Sequence, residues 1–266
     1  MTIFDRDTAV ESLGDGIYHA EIGSAWQIVH GPNGGYLASV IQNAMTQEVD
    51  DPGRSIRSLT VHYLRATPEG TVRIEVIKER EGKSVTSASA RLFDGDRLLA
   101  IALGAFSSSF PSIELDEAPM PNVAPPAEIE EFPVEVFPRH LQNFIYKHAL
   151  GDAFFTGSER AEVGAWIRLA EPRVLDPLML TTLADTAPPS VFPRLYQPNP
   201  APTIDLTVHF RSPIPDDAGP EDFYLVVVRS KLSRDGFFEE DGEIYSESGL
   251  LLAQSRQLAL LLPPRE

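Results

Sequence analysis

Residues 59–63 read LTVHY and residues 206–210 read LTVHF, so a nearly identical pentapeptide returns 147 residues later in a chain of 266. A second pair of similar segments follows in the same order. FDGDRLLAIALGAF at 93–106 resembles SESGLLLAQSRQLAL at 246–260, with Gly95 and Gly249 at an offset of 154 residues. Two matches at nearly one offset indicate an internal duplication, which predicts two structurally similar halves.

Both halves show the same order of predicted elements. In the first, GIYHAEIG and WQIVH are predicted strands, a helix is predicted over about 34–47, and four extended runs follow. In the second, FIYKHAL and GAWIRLA precede a helix that starts at about Asp176 and ends before Pro188 and Pro189, and four extended runs follow. Each half therefore combines strands, one long helix and an antiparallel meander, and we expect the helix to lie buried against a curved sheet.

A stretch rich in Pro and Glu separates the halves and has neither a helical nor a strand period. It divides the chain into an N-terminal half over 1–109, a linker over 110–137 and a C-terminal half over 138–266. An ordinary long surface loop is the alternative interpretation of the middle segment.

The amino-acid composition excludes several classes of partner and site. The formal net charge is -17, with 39 acidic against 22 basic residues, so nucleic acid is not an expected partner. The absence of Cys excludes disulfides and thiolate metal sites. The start has no apolar signal segment, and no apolar run approaches the roughly 18 residues of a membrane span. These features predict a soluble cytoplasmic protein.

The predicted first helix has an unusual start, because HGPNGGYLASVIQNA at 30–44 places two adjacent glycines where Ser, Thr or Asp would cap better. Glycine costs backbone entropy there, but it allows another molecule to approach the exposed amides closely. Close packing of the helix against its neighbours is the alternative.

Four segments together resemble one known family, the type II acyl-CoA thioesterases within the thioesterase-like superfamily. They are GPNGGYLASVIQNA, EGKSVTSASARLFDGDRLLA, TIDLTVHFRSP and DGEIYSESGLLLAQSRQLALL. The resemblance implies an α+β fold, the double hotdog, in which two β-rich halves each wrap one long helix in a continuous antiparallel sheet. It also implies an acyl-CoA thioesterase of lipid metabolism that uses no cofactor and no metal.

The resemblance further implies a polar site made of an Asp, a Thr and a Gln from the second half. These fall on Asp185 in LADTAPP, Thr203 in TIDLTVHF and Gln257 in AQSRQLALL. The strand pattern favours Gln257 over Gln254, because an alternating strand places Gln257 on the face of small residues. Ordinary structural roles remain possible for all three: a helix-end carboxylate, a strand former and a hydrogen-bonding amide.

The internal repeat gives an independent comparison of the two copies. At offsets of 147 and 154, the first-half counterparts of the three polar residues are apolar: Ala38, Ile56 and Leu103. Conversely, the glycine segment Asn33, Gly34 and Gly35 has the counterparts Leu180, Thr181 and Thr182. The duplication therefore predicts one half that supplies side chains and another that supplies backbone amides.

These groups suit thioester hydrolysis. The amides of Asn33, Gly34 and Gly35 are expected to bind the substrate and stabilise the oxyanion. Asp185 is expected to act as a general base on a water held by Thr203 and Gln257, or alternatively to attack the carbonyl directly. A non-catalytic acyl or acyl-CoA binding protein on the same scaffold is the alternative function.

The remaining expectations concern binding surfaces. Coenzyme A is expected to contact scattered arginines such as Arg65, Arg91 and Arg211. A homodimer is predicted through the outer face of the sheet, where His62 and His209 occupy matching strand positions. His30, just before the glycine turn, is the one histidine kept as a reserve catalytic candidate.

Overall fold

The computed structural model of the protein describes residues 1–29, 31–134 and 138–264. Its helices and strands follow the predicted order in each half. The helices are α1 (Ile3–Asp7), α2 (Gly34–Val49) and α3 (Pro177–Leu183). The first-half strands are β1 (Glu11–Gly14), β2 (Ile17–Ile22), β3 (Ser55–Tyr63), β4 (Gly70–Glu81), β5 (Val85–Asp94) and β6 (Arg97–Ser107). The second-half strands are β7 (Phe144–Leu150), β8 (Glu162–Leu169), β9 (Thr203–Phe210), β10 (Tyr224–Arg229), β11 (Ser233–Arg234), β12 (Phe237–Ser246) and β13 (Leu251–Leu260).

All of these strands belong to one antiparallel sheet in the order β1-β2-β4-β5-β6-β3-β9-β13-β12-β10-β8-β7, with β11 paired to β12 outside this path. The two halves meet where β3 pairs with β9. There Thr60 lies opposite Thr207, their hydroxyl oxygens 3.0 Å apart. Since 147 residues separate the two threonines, the repeat offset read from the pentapeptides is also the offset of the central strands.

The core lies between the inner face of this sheet and the helices. Helix α2 is buried along most of its length, and Tyr36, Val40, Ile41 and Met45 are almost completely inaccessible to solvent. Burying such side chains stabilises the fold by about 1.5–3 kcal/mol each. The predicted α+β architecture, with two halves in one antiparallel sheet, is confirmed. None of the helices in the described residues is long and apolar enough to cross a membrane.

Two predicted elements differ from the structure. Residues 26–29 of the predicted strand WQIVH do not form one: Ser24–Trp26 form a 3-10 helix, and the amide of Asn33 donates to the carbonyl of Trp26 at 2.8 Å. The chain is turning toward the start of α2 at this point, so it does not join the sheet. The second helix is short. Its N-cap is Asp176, as predicted, but it ends at Leu183, two residues before Asp185.

The segment between the halves lies against the second half. Its apolar residues pack on the outer face of the sheet, and the indole nitrogen of Trp166 on β8 donates to the carbonyl of Ala124 at 2.9 Å. The ammonium group of Lys147 also donates to the carbonyl of Pro126, at 2.7 Å. Residues 118–129 therefore cover an apolar patch on the outer face, while 135–137 of the predicted linker lie outside the described residues.

Candidate active site

The start of α2 is built to hold a carboxylate from the second half. Asn33 caps the helix, its Oδ1 accepting from the amide of Tyr36 at 2.9 Å. Its Nδ2 donates to Asp185, to the backbone oxygen at 2.7 Å and to Oδ2 at 3.0 Å. The amide of Gly35 donates to the same Oδ2 at 2.9 Å. A helix N-terminus favours negative charge, so Asp185 is bound by both specific donors and the helix dipole.

The two glycines are explained by this contact between the halves. A Cβ at Gly34 would lie 2.9 Å from Asp185 Oδ2, and a Cβ at Gly35 would lie 2.7 Å from the carbonyl oxygen of Thr182. Both distances are shorter than real Cβ contacts, so any side chain here would push the two halves apart. The close approach expected from the sequence is real, but in this structure the approaching group belongs to the chain itself.

Asp185 lies in the turn that follows α3, where its amide donates to the carbonyl of Thr182 at 3.1 Å. Burial raises the pKa of this carboxyl to about 7, against the lowering effect of the Gly35 amide. The negative charge of Glu240 raises the pKa further, and the amide of Gln257 lowers it. The same carboxyl is thus close to Gln257 and to a second acid.

Thr203 and Gln257 form one hydrogen-bonded chain with Glu240. The Thr203 hydroxyl donates to Gln257 Oε1 at 3.0 Å, and Gln257 Nε2 donates to Glu240 Oε1 at 2.7 Å. The backbone amide of Ser190 donates to the other carboxylate oxygen of Glu240, Oε2, at 2.6 Å. The structure therefore brings the three predicted side chains Asp185, Thr203 and Gln257 to one place, next to the predicted glycine amides.

Glu240 was not predicted from the sequence, although a signal exists. In the alternating strand β12 it shares the buried face with Phe238, Gly242 and Ile244, and only 2% of its surface is exposed. Its partner across the strand pair is Gln257. An acid on the apolar face of an alternating strand indicates a functional role or a structural hydrogen-bonding role.

Tyr63, at the end of β3, also belongs to the site. Its hydroxyl donates to the carbonyl oxygen of Gly34 at 2.7 Å and so fixes the peptide group that also carries the Gly35 amide. Burial, reinforced by the charge of Asp185, holds the pKa of Tyr63 well above its ordinary value. The tyrosine therefore stays a neutral hydrogen-bond donor.

The strand register corrects one counterpart from the repeat. Gln257 lies opposite Leu206, and the equivalent Leu59 lies opposite Gly104, so the first-half counterpart of Gln257 is Gly104 and not Leu103. The counterpart Ile56 of Thr203 is confirmed, because each residue lies next to the register shift in its own strand pair, Ile56 opposite Phe106 and Thr203 opposite Ala259. By the same register Glu240 corresponds to Ala88, which lies opposite Gly104. In the strands, the first half is apolar at every position where the second half carries a site residue.

The helix counterparts also need correction. Asn33 and Asp176 are the two N-caps, and each accepts a bond from the amide three residues later. Counted from these caps, Asp185 corresponds to Gln42, so the predicted counterpart Ala38 is wrong. Gln42 is buried and bonded to the Thr181 hydroxyl. The cap count likewise pairs Asn33, Gly34 and Gly35 with Asp176, Pro177 and Leu178, in place of Leu180, Thr181 and Thr182.

The other residues singled out in the sequence lie on the surface. Arg65 follows Tyr63 at the site end of β3, whereas Arg211 follows the far end of β9, and Arg91 is exposed on the outer face. His62 and His209 are also exposed on that outer face. His30 lies outside the described residues. In the described part of the chain, no three His, Cys, Asp or Glu side chains could together hold a metal ion.

Comparison with solved structures supports the fold. A hot dog fold protein of unknown function from Alicyclobacillus acidocaldarius is 26% identical, with a TM-score of 0.92 and full coverage of both chains. A protein provisionally assigned as a thioesterase II, from Thermobifida fusca YX, is 25% identical at a TM-score of 0.84, with 99% of this chain and 98% of that one covered. The acyl-CoA thioesterase II TesB2 from Mycobacterium marinum shares the fold at 17% identity, a TM-score of 0.80 and 98% coverage of each chain. The double hotdog prediction is confirmed.

Comparison at the level of sequence families gives the membership. A search among curated proteins finds no match. Residues 22–107 match the acyl-CoA thioesterase N-terminal domain, and residues 116–261 match the acyl-CoA thioesterase C-terminal domain. These two matches cover most of the chain, in the order that the repeat predicts, and the protein therefore belongs to the acyl-CoA thioesterase family.

Proposed function

We propose that this protein hydrolyses an acyl-CoA thioester to the free acid and coenzyme A, using its own side chains and a water molecule. The observation that supports this most strongly is the convergence on Asp185. Its carboxyl group meets the start of α2 from one half and Gln257 from the other, and Gln257 is in turn bonded to the Thr203 hydroxyl. Such a mixture of donors and acceptors around one base suits attack on a carbonyl.

In this proposal Asp185 is the general base. Its pKa of about 7 places it between proton acceptor and proton donor at neutral pH, where general base catalysis contributes roughly 100- to 10,000-fold. Oδ2 already accepts from Gly35 and Asn33, so Oδ1 takes the proton of the attacking water. The Thr203 hydroxyl and the Gln257 amide hold that water near the carbonyl.

The amides of Gly34 and Gly35 then serve the oxyanion. While Asp185 is ionised, the Gly35 amide is held by Oδ2. When Asp185 takes up the proton it becomes a weaker acceptor, because charge-assisted bonds are about twice as strong as neutral ones. The amide is then available to donate to the carbonyl oxygen of the substrate as charge builds there, and one such donor typically contributes about 100- to 1,000-fold.

Direct attack by Asp185 is the alternative chemistry, and one experiment separates the two. A single turnover in water labelled with oxygen-18 puts the label into the released acid if Asp185 acts as a base. Attack by Asp185 forms a mixed anhydride, and its hydrolysis at the acyl carbon also labels the acid, whereas hydrolysis at the side chain labels Asp185. Hydroxylamine distinguishes the remaining case. It cleaves the thioester itself, but a hydroxamate on the Asp185 side chain, detected by mass spectrometry, can form only from the anhydride.

The alternative function is a non-catalytic acyl or acyl-CoA binding protein, which has the same fold but releases no thiol. The test measures thiol release from acyl-CoA substrates of several chain lengths by the wild type, Asp185→Asn and Asp96→Asn. Asp96 lies exposed in the turn between β5 and β6 and is the matched control. We expect activity in the wild type and Asp96→Asn and at least a 100-fold loss, on the order of that for a general base, in Asp185→Asn. Binding without thiol release by the wild type would favour the binding protein.

Two finer predictions accompany this function. Of the three arginines named from the sequence, Arg65 is the one that follows a site strand at the site end, so we propose it as a contact for the phosphates of coenzyme A. The predicted homodimer through the outer face of the sheet stays a prediction, which light scattering on the purified protein tests.

A further inference from the structure

The second carboxylate of the site, Glu240, is buried, and in the described part of the chain it forms no ion pair with a cation. It accepts from the Ser190 amide at 2.6 Å and from Gln257 Nε2 at 2.7 Å. A buried carboxylate is expensive unless it is well bonded. The fold itself does not require it, because the equivalent position in the first half is Ala88, opposite Gly104.

The two contacts favour the ionised form of Glu240. Each of its oxygens accepts from an N–H group, and an ionised carboxylate is the stronger acceptor because charge-assisted hydrogen bonds are about twice as strong as neutral ones. Burial raises the pKa of Glu240 above its ordinary value, against the lowering effect of the Ser190 hydroxyl, the Ser190 amide and the Gln257 amide. The arrangement of donors therefore fits the ionised form, which can only accept.

Because the ionised Glu240 can only accept hydrogen bonds, it determines which end of the Gln257 amide faces it. The Thr203 hydroxyl can donate or accept, so it would tolerate either end of that amide. Glu240 tolerates only the NH2 end. With Nε2 held by Glu240, Oε1 must face Thr203, as the 3.0 Å bond from the hydroxyl shows.

We propose that Glu240 is a positioning residue of the thioesterase site, whose buried carboxylate holds the Gln257 amide in the one orientation that turns its nitrogen toward the acids and its oxygen toward Thr203. This inference rests on the proposed function and adds to it a residue that acts through Gln257. The Ser190 amide holds the second oxygen and so keeps the carboxylate in place.

The charge of Glu240 also reaches Asp185. Among the residues that the structure describes, Glu240 from β12 and Tyr63 from β3 are the titratable groups that act on Asp185, and neither is a cation. The ionised Glu240 raises the pKa of Asp185 more than the Gln257 amide lowers it. Removal of the Glu240 charge should therefore let Asp185 ionise at lower pH.

The variant Glu240→Gln tests the proposal. The Ser190 amide must keep an oxygen at position 240, which leaves an NH2 group against Gln257 and forces that amide to turn over. We expect kcat to fall about 10- to 100-fold with KM within about twofold, as for a misplaced catalytic group. The acid limb of the rate profile should move to lower pH. The matched control is Glu239→Gln, one residue earlier and on the other face of β12, which should keep the wild-type kcat and pH profile.

A folded Glu240→Gln variant with wild-type kcat and an unmoved acid limb overturns the inference. If circular dichroism shows that the variant does not fold, the double variant E240Q/Q257E decides. It reverses donor and acceptor between the two positions, so the proposal expects it to fold with a cooperative thermal transition. Failure of this double variant to fold overturns the inference as well.

The outcomes also separate this inference from the proposed function. A wild-type protein that releases no thiol contradicts the proposed function, whatever Glu240 does. If the wild type is active and the Glu240→Gln variant has the same kcat and pH profile, only the role of Glu240 is contradicted.

Discussion

The variant Asp185→Asn should have a free energy of unfolding that increases relative to that of the wild type as the pH rises. The folded-state pKa of Asp185 is about 7, against 3.8 for an ordinary aspartate. Between these two values the folded wild type binds more protons than the unfolded chain. Its free energy of unfolding therefore falls as the pH rises, and this contribution is fully present only below about pH 4.

The size of the effect follows from the same two pKa values. At about 1.4 kcal/mol per pH unit, the interval from 3.8 to about 7 corresponds to an upper bound of about 4 kcal/mol. Asparagine has nearly the same shape and no charge, so its variant lacks this dependence. Any constant effect of the substitution, such as a changed bond to Gly35, cancels when only the trend with pH is compared.

The assay is urea unfolding of the wild type, Asp185→Asn and the exposed control Asp96→Asn between about pH 5 and pH 8, the range that covers most of this interval. The difference between Asp185→Asn and the wild type should grow with pH and level off above about pH 8, whereas Asp96→Asn should follow the wild type. The same ionisation should give kcat/KM of the wild type an acid limb near pH 7. Parallel stability curves for the wild type and Asp185→Asn would refute the reasoning, because Asp185 would then ionise as easily in the folded as in the unfolded protein.

Two further substitutions test the geometry of the site. Gly35→Ala places a Cβ 2.7 Å from the Thr182 carbonyl oxygen, whereas ordinary contact starts at 3.4 Å, so the halves must separate by about 0.7 Å. We therefore expect kcat/KM to fall about 10- to 100-fold. Gly23→Ala, with nothing within 4 Å of its Cβ, should not change it, and equal activity of both variants would contradict the close contact. Thr203→Val should lower kcat about 10-fold with KM nearly unchanged, whereas Thr60→Val, which removes a hydroxyl at the junction of the halves, should leave kcat as it is. Steady-state kinetics decide both cases, and a normal kcat in Thr203→Val would exclude a role for its hydroxyl.

The sequence predicted the strands well because their period is local. The repeat of LTVHY and LTVHF fixed the register of the central strands, and the pairing of Thr60 with Thr207 follows from it. Alternation placed Gln257 on the face of small residues, and in the structure this residue is buried while its neighbour Leu258 is exposed. The convergence of Asp185 with Thr203 and Gln257 came from the family resemblance, because no local pattern joins residues so far apart in the chain.

The errors arose where the two copies differ in length. Gly95 and Gly249 are turn residues, and the turns that contain them connect the strands differently, so the offset of 154 was one residue too long. A slip of one residue in a strand moves every side chain to the other face. It exchanged the buried Gly104 for Leu103, which is 63% exposed.

The helices could not be aligned from sequence for a different reason. Helix α2 has 16 residues and α3 has 7, so no single offset covers both. Glu240 was missed because FFEEDGE contains several acids in a row, and only the pairing with β13 shows which of them point inward.

The unequal lengths of the helices explain how one chain forms the site from two copies. Proline lacks the amide that a helix interior needs, so the helix cannot run through Pro188 and Pro189, and the chain turns at Asp185. This turn lies against the start of α2 because Gly34 and Gly35 leave room for it. At the equivalent end of α3, the cap Asp176 is followed by Pro177, which has no backbone N–H to donate. Two identical subunits could not differ in this way, whereas a duplicated chain can keep glycine and amides in one copy and the carboxylate, hydroxyl and amide side chains in the other.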